Sequence, residues 1–181
     1  MKGNILVGIS GGIAAYKTIE LVTDLIKAGY AVKVVMTPNA RQFVRELPFR
    51  IMTKNRVFCD VFARDIAFDT DHIELAKWAD LLVLYPATAN IIAKVYAGIA
   101  DDLLTTVVSA MPDKAKIICP AMNNAMWDNP IVQRNIADLR ALGSYHFIAP
   151  KKKRLACGEI GTGALCDREP VVRLIETQLS G

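Results

Sequence analysis

The sequence predicts an α/β fold: a doubly wound parallel sheet in a single domain, with helices on both faces. Three observations carry that expectation. The N-terminal region reads strand, helix, strand, and the same alternation returns from Leu81 onward. Of the 181 residues, 52% are hydrophobic, an excess that a sheet buried on both faces or a subunit interface absorbs. A chain of this length closes one core and is short for two.

Asn4–Ile9 is an apolar run ending at Ser10-Gly11-Gly12, a buried strand entering a tight turn. Ile13–Ala28 follows with helical spacing. Ile19, Val22 and Ile26 form one stripe, Leu21, Leu25 and Ala28 another, and Gly29 follows the helix end. Ala31–Met36 is a second, β-branched strand closed by Thr37-Pro38-Asn39-Ala40. Strand, helix and strand in so short a span impose parallel pairing and a right-handed crossover. Phe43–Phe68 reads as helix and irregular structure with a short strand. Then come a strand at Leu81–Tyr85, helical periodicity over Thr88–Ala110 broken near Gly98–Asp101, and a strand at Ala115–Cys119. A helix at Pro130–Leu142, a strand at Tyr145–Ala149 and a closing helix at Pro170–Leu179 complete the order. Lys151–Arg168 carries three glycines and reads as a long loop. The order is Rossmann-like or flavodoxin-like, which places ligands beyond the carboxyl ends of the strands.

The formal net charge is +4, from 22 basic and 18 acidic side chains, and the run Lys151–Arg154 accounts for all of it. Nucleic-acid binders spread basic charge over a face or stripe, so no nucleic-acid partner is expected. The opening residues reach Gly11-Gly12 too soon for a secretory core. Leu81–Ala100, the nearest approach to a membrane span, is interrupted by Pro86, Asn90 and Lys94, and no membrane partner is expected. The expectation is a cytoplasmic protein. Cys59, Cys119, Cys157 and Cys166 form no C-x-x-C pair and have no histidine at zinc spacing, so neither a metal nor a disulfide framework is expected.

The first strand–turn–helix suits an anion. Ser10, Gly11 and Gly12 permit close backbone approach at a helix N-terminus, and Thr37 ends the neighbouring strand. The alternative is that the glycines serve only helix–sheet packing. The turn is neither G-x-G-x-x-G nor a P-loop, which disfavours dinucleotides and nucleoside triphosphates. Polar sets close three later strands or loops: Pro86–Asn90, Pro120–Trp127 and Ala156–Gly163. Of the two histidines, His146 falls in an apolar strand and reads as structural. His72 precedes a helix in polar company, where a base and a structural role weigh equally.

On these elements the chain resembles the homo-oligomeric flavin-containing cysteine decarboxylases, the family of the phosphopantothenoylcysteine and lantibiotic peptidyl-cysteine decarboxylases. The resemblance spans the whole chain. It rests on Gly8–Lys17, the His72 segment, Pro86–Asn90 and Asp101–Leu104. P-x-M-N-x-x-M-W at Pro120–Trp127 and A-C-G-x-x-G-x-G at Ala156–Gly163 complete it. It implies one flavoprotein domain over residues 1–181, with a substrate-covering loop at about 151–168, and FMN as cofactor. Ser10, Gly11, Gly12 and Thr37 would hold the FMN phosphate. Pro86, Thr88, Asn90, Ser109 and Met111 would line the flavin. His72 would be the active-site base, facing a flavin across a subunit boundary. Asn123 would bind the substrate carboxylate, with Met122, Ala156 and Gly158 beside the substrate and Cys157 as proton donor. A homo-oligomer is implied, a trimer or a multiple of trimers such as a dodecamer.

The reaction so implied is decarboxylation of 4'-phosphopantothenoylcysteine to 4'-phosphopantetheine, in coenzyme A biosynthesis. Oxidising the thiol carbon to a thioaldehyde gives the carboxylate an electron sink, CO2 loss leaves an enethiol, and re-reduction yields the saturated thiol. Without re-reduction the product stays oxidised, as in the peptidyl-cysteine branch. That branch and a non-catalytic flavin-binding regulator are the alternatives. Cys59 and Cys119, with apolar neighbours, read as packing thiols. An arginine is usual in the family after the last glycine of the cysteine loop, where this chain has Ala164. Either the basic run ahead of that loop supplies a cationic contact to a substrate phosphate, or it is solvated.

Overall fold

The computed structural model describes residues 2–60, 71–154 and 160–180. Strand β1 (Asn4–Ile9) leads through a 3-10 turn at Ile13–Lys17 into α1 (Thr18–Lys27) and β2 (Ala31–Met36). A second 3-10 turn at Ala40–Gln42 precedes α2 (Leu47–Thr53) and the two-residue β3 (Val57–Phe58). Next come α3 (Asp71–Trp78), β4 (Leu81–Ala87), α4 (Ala89–Ala97), α5 (Leu103–Ser109) and β5 (Lys116–Pro120). The one-turn α6 (Asn124–Trp127), α7 (Pro130–Ala141) and β6 (Tyr145–Phe147) follow. Last are β7 (Lys151–Arg154), β8 (Ile160–Ala164) and α8 (Arg168–Ser180).

Six strands form one sheet in the order β3-β2-β1-β4-β5-β6, every pair parallel. This is the predicted doubly wound arrangement: all strands run the same way, and the order in which they are added reverses between β1 and β4. Pleating divides β1 between two cores. Ile5, Val7 and Ile9 face Leu21, Val22 and Leu25 of α1 and Val171 and Ile175 of α8. Leu6 faces Leu75 of α3, Ile91 of α4, Leu104 and Val107 of α5, and Ile136 of α7. Both faces are therefore covered, which is why the strands read as continuous apolar runs.

The structure corrects the sequence reading at three elements. Ile13–Lys17 is a 3-10 turn rather than the first turn of an α-helix. Strand β4 runs on through Tyr85 and the cis Tyr85–Pro86 peptide to Ala87. Most of all, Lys151–Arg168 is not wholly loop: β7 and β8 pair antiparallel, Lys153 opposite Gly161, and α8 already begins at Arg168. The ribbon exists because β8 docks on the segment after β5. The Met122 amide donates to the Gly163 carbonyl at 2.9 Å, and a β-carbon on Gly163 would stand 2.1 Å from the Met122 carbonyl oxygen. That glycine permits close strand approach instead of marking a turn.

Candidate active site

In a parallel sheet each strand delivers the chain, at its carboxyl end, to the start of a helix, so helix N-termini gather on one side. Here they open on a cleft of about 990 Å³. Three N-cap residues line it. Thr88 Oγ1 accepts from the Ile91 amide at 3.3 Å, Asp102 Oδ1 from the Thr105 amide at 2.9 Å, and Asn123 Oδ1 from the Ala125 amide at 2.8 Å. The caps orient these side chains, and the positive helix ends favour anionic ligand groups.

The first turn is built tightly. Ser10 is buried; its hydroxyl donates to the Pro86 carbonyl at 2.8 Å and accepts from the Thr88 amide at 2.9 Å. Its proton is therefore committed to joining the β1 and β4 turns, and Ser10 shapes the cleft instead of donating into it. Gly11 is pressed on the Thr37–Asn39 turn, where a β-carbon would meet Asn39 Cβ at 2.4 Å. Thr37 Oγ1 accepts from the Ala40 amide at 3.2 Å, which leaves its own hydrogen to donate.

Of the predicted site residues, Ser10, Gly11, Gly12, Thr37, Thr88, Asn90, Met122 and Asn123 line this one cleft. Pro86 lies buried behind it. Ser109 and Met111 are outside the lining: the Ser109 hydroxyl donates to the Thr105 carbonyl at 3.0 Å, and Met111 belongs to the core. His72, half-buried, is the second residue of α3. It stands at the carboxyl-end side of the sheet but outside the lining, beside Asp71, which pairs with Arg56. Ala156, Cys157 and Gly158 lie outside the described residues. His146, on β6, pairs in register with Ile117 of β5, a structural placement. Sequence reasoning did not single out Lys17, Lys94 or Asn39 as site residues, yet all three line the cleft. Asn39 has no local signal, because its role depends on contact with Gly11 across two strands.

Burial, followed by the Glu46 carboxylate, pushes the Cys59 thiol up to about 12. Cys119 is fully enclosed beside the Cys166 thiol, and burial raises it well above the usual thiol range. Both suit packing and not nucleophilic chemistry. Among the described residues no group of three or more His, Cys, Asp or Glu side chains is placed to hold a metal ion.

The Flavoprotein family model matches residues 1–180. The chain belongs to the Flavoprotein family. A probable phosphopantothenoylcysteine decarboxylase of Streptococcus mutans is 45% identical over 180 residues, 99% of this chain and 100% of that protein. The coenzyme A biosynthesis bifunctional protein CoaBC of Bacillus subtilis is 45% identical over 173 residues, of which this chain spans 42% of the length. Among solved structures, a PPC decarboxylase with a cysteine replaced by serine, complexed with pantothenoylaminoethenethiol, superposes with a TM-score of 0.87. It is 31% identical, and 100% of each chain is covered. The FMN-dependent cysteine decarboxylase SpaF gives 0.85 at 31% identity, covering 99% of this chain and 98% of that one.

Proposed function

We infer that this chain is an FMN-dependent carboxy-lyase that converts 4'-phosphopantothenoylcysteine to 4'-phosphopantetheine in coenzyme A biosynthesis. The observation that carries the reading is the match to the streptococcal decarboxylase at 45% identity through 99% of the chain. The lining fits a flavin mononucleotide. Thr37 has a hydroxyl hydrogen to give a phosphate, helix N-termini face the cleft, and Gly12 lines it where a β-carbon would meet only Thr88 Cγ2, at 3.4 Å. The volume is at the top of the ~300–1,000 Å³ range of small-molecule sites, room for a flavin and an extended substrate together.

When bound, FMN supplies the chemistry of taking two electrons from the thiol-bearing carbon and giving them back after CO2 has left. The chain's own residues hold the substrate around that exchange. Asn123 presents its amide nitrogen to the substrate carboxylate, because its oxygen caps α6. Met122, Ala156 and Gly158 flank the substrate, and the segment at about 151–168 covers it. His72 receives the thiol proton. In this reading it serves the cleft of a neighbouring copy, a placement supported by its position outside the lining that the described residues of its own chain form. Cys157 donates a proton to the enethiol carbon, which makes the reaction redox-neutral.

This reading includes a homo-oligomer, a trimer or a multiple such as a dodecamer. Supporting it, Leu47 and Ile51 of α2 are 61% and 67% exposed, large apolar side chains that a neighbouring copy would cover. The reading assigns the protein to the cytoplasm, and no helix among the described residues is long and apolar enough to cross a membrane.

Purified protein is expected to be yellow, to release FMN on denaturation, and to give the saturated thiol from phosphopantothenoylcysteine. Cys157→Ser is expected to release CO2 but leave a product two hydrogens lighter. Protein that binds no flavin, or that leaves the substrate unchanged, overturns the reading.

A further inference from the structure

Helix α3 carries His72 one residue from its start, and the β3–β2 edge of the sheet grips both of its ends. At the far end Lys33 of β2 lies over the last residue, Trp78, with Nζ 4.4 Å from the ring centre. At the near end the grip is Arg56, the residue before β3. Its guanidinium pairs with the carboxylate of Asp71, the first residue of α3, and lies 4.4 Å from the ring centre of Phe58. Phe58 is a firm support: it is buried in the core that α3 covers, and it pairs in register with Val35 of β2.

The Arg56–Asp71 pair differs in kind from those of Lys94 with Asp101, Lys151 with Asp167 and Arg168 with Glu20, whose carboxylates are exposed. Asp71 is only 7% exposed. A pair whose acid is buried is costly to break, because the acid is left without compensation, whereas an exposed pair holds little. Its place matters as much as its burial. The first turn of a helix is where fraying starts, since its amides have no partners within the helix. Locking Asp71 fixes the backbone of that turn, and the next residue is His72. The two charges also cancel, so the lock adds no net charge beside the imidazole.

We propose that Arg56 is a positioning residue for the decarboxylation: it holds Asp71, Asp71 fixes the first turn of α3, and that turn aims the His72 imidazole at the substrate thiol. The inference rests on the functional reading above, in which His72 receives the thiol proton, and adds a residue that acts only through it. Proton transfer demands this precision. Donor and acceptor must meet within hydrogen-bond reach, and a displacement of about 1 Å costs roughly a hundredfold in rate. In the same reading, substrate and flavin are held by the turns after β1, β2 and β5. A misaimed His72 therefore lowers kcat and leaves KM and FMN content in place.

The test compares holoenzymes of wild type, Arg56→Met, Arg56→Lys, Asp71→Asn and the double variant Arg56→Met with Asp71→Asn. It reads kcat, KM, FMN content and melting temperature. Methionine keeps an apolar stem on Phe58 but cannot hold Asp71, so kcat should fall about tenfold to a hundredfold, with KM within about threefold and FMN retained. Arg56→Lys keeps a cation in reach and should lose less than about threefold. Asp71→Asn strands no buried charge and tests the lock from its other side: kcat should fall about threefold or more at unchanged FMN content. The double variant should regain the melting temperature that Arg56→Met loses, but not its kcat. In a His72→Asn background, already slowed roughly 10²–10⁴-fold, Arg56→Met should cost less than about a further twofold, since no base is left to aim. Arg56→Met and Asp71→Asn both near wild type in kcat, an equal loss with and without His72, or a kcat that recovers together with the melting temperature overturns the inference. His72→Asn within a few-fold of wild type removes His72 as the base, and this inference with it, while the decarboxylation stands. A wild type that does not turn over removes the functional reading itself.

Discussion

Asn123 commits its side-chain oxygen to the Ala125 amide, so the direction of its amide group is set by the helix it starts and not by a ligand. Asn123→Asp separates the two roles. A carboxylate keeps the cap and is favoured at a helix N-terminus, but it has no hydrogen to donate and repels the substrate carboxylate. We expect kcat/KM to fall by roughly tenfold to several hundredfold, the worth of a hydrogen bond to a charged group, with FMN content and melting temperature little changed. Steady-state kinetics beside the flavin spectrum decide it; a variant within twofold of wild type takes Asn123 out of substrate binding. At this scale the sequence was informative wherever one short motif holds the whole unit. Gly12, Thr88 and Asn123 each sit at a strand-to-helix junction that could be read locally. The Ser10 latch could not be read that way, because its partner, the Pro86 carbonyl, is 76 positions away and the bond exists only once β1 and β4 pair.

Elements were legible in proportion to their burial. Strands β1 and β2 occupy the residues their apolar runs indicated, Asn4–Ile9 and Ala31–Met36, because a strand covered on both faces has no exposed position to dilute the pattern. The division of α4 from α5 was visible as a break near Gly98–Asp101; the structure adds that Asp102 starts α5, its side chain and that of Thr105 forming a capping box. The β7–β8 ribbon was not visible: one strand is four basic residues and the other is rich in glycine, so neither carries a strand pattern. What holds it is tertiary contact at Met122. Gly163→Ala tests that directly, since the new methyl would stand 2.1 Å from the Met122 carbonyl oxygen, far inside van der Waals contact, and the ribbon must move off. We expect an overpacking cost of about 1–3 kcal/mol borne by the ribbon and not by the six-stranded sheet. Limited proteolysis should then cut between residues 151 and 168 faster than in wild type, at unchanged far-ultraviolet circular dichroism, with kcat/KM reduced. Equal cleavage rates would show that β8 has another anchor.

Taken as a whole, the molecule assigns different work to the two ends of its sheet. Helix N-termini at the carboxyl ends of the strands are left to face ligands, while helix C-termini at the amino ends must be satisfied internally. Lysines do this: Lys114 Nζ donates to the carbonyls of Ala76, Lys77 and Ala79, at 2.7, 3.0 and 2.5 Å, capping α3. Lys116 is the costlier neighbour. It has no solvent exposure, its Nζ donates to the Pro112 and Lys114 carbonyls at 3.2 and 2.7 Å, and it sits 4.6 Å from the Tyr145 ring centre. Burial lowers its pKa to about 8, against an ordinary value of 10.5, and Asp113 only partly restores it. Between those values the unfolded chain holds a proton that the folded chain has released, so this group makes stability rise with pH across that window. Below about pH 8 both states are protonated and the gain is absent. The buried tyrosines and Cys59, with pKa values raised by burial, act in the opposite sense at high pH, so wild type alone is uninformative. The difference between Lys116→Met and wild type isolates the lysine. Whatever the variant's relative stability at pH 7, the difference should shift toward wild type as pH rises from 8 to 10, by up to about 1.4 kcal/mol per pH unit. Urea denaturation of both proteins at each half unit of pH measures it. Parallel stability curves would mean that the hydrogen bonds and the aromatic face keep Lys116 charged throughout, and that its burial carries no proton linkage.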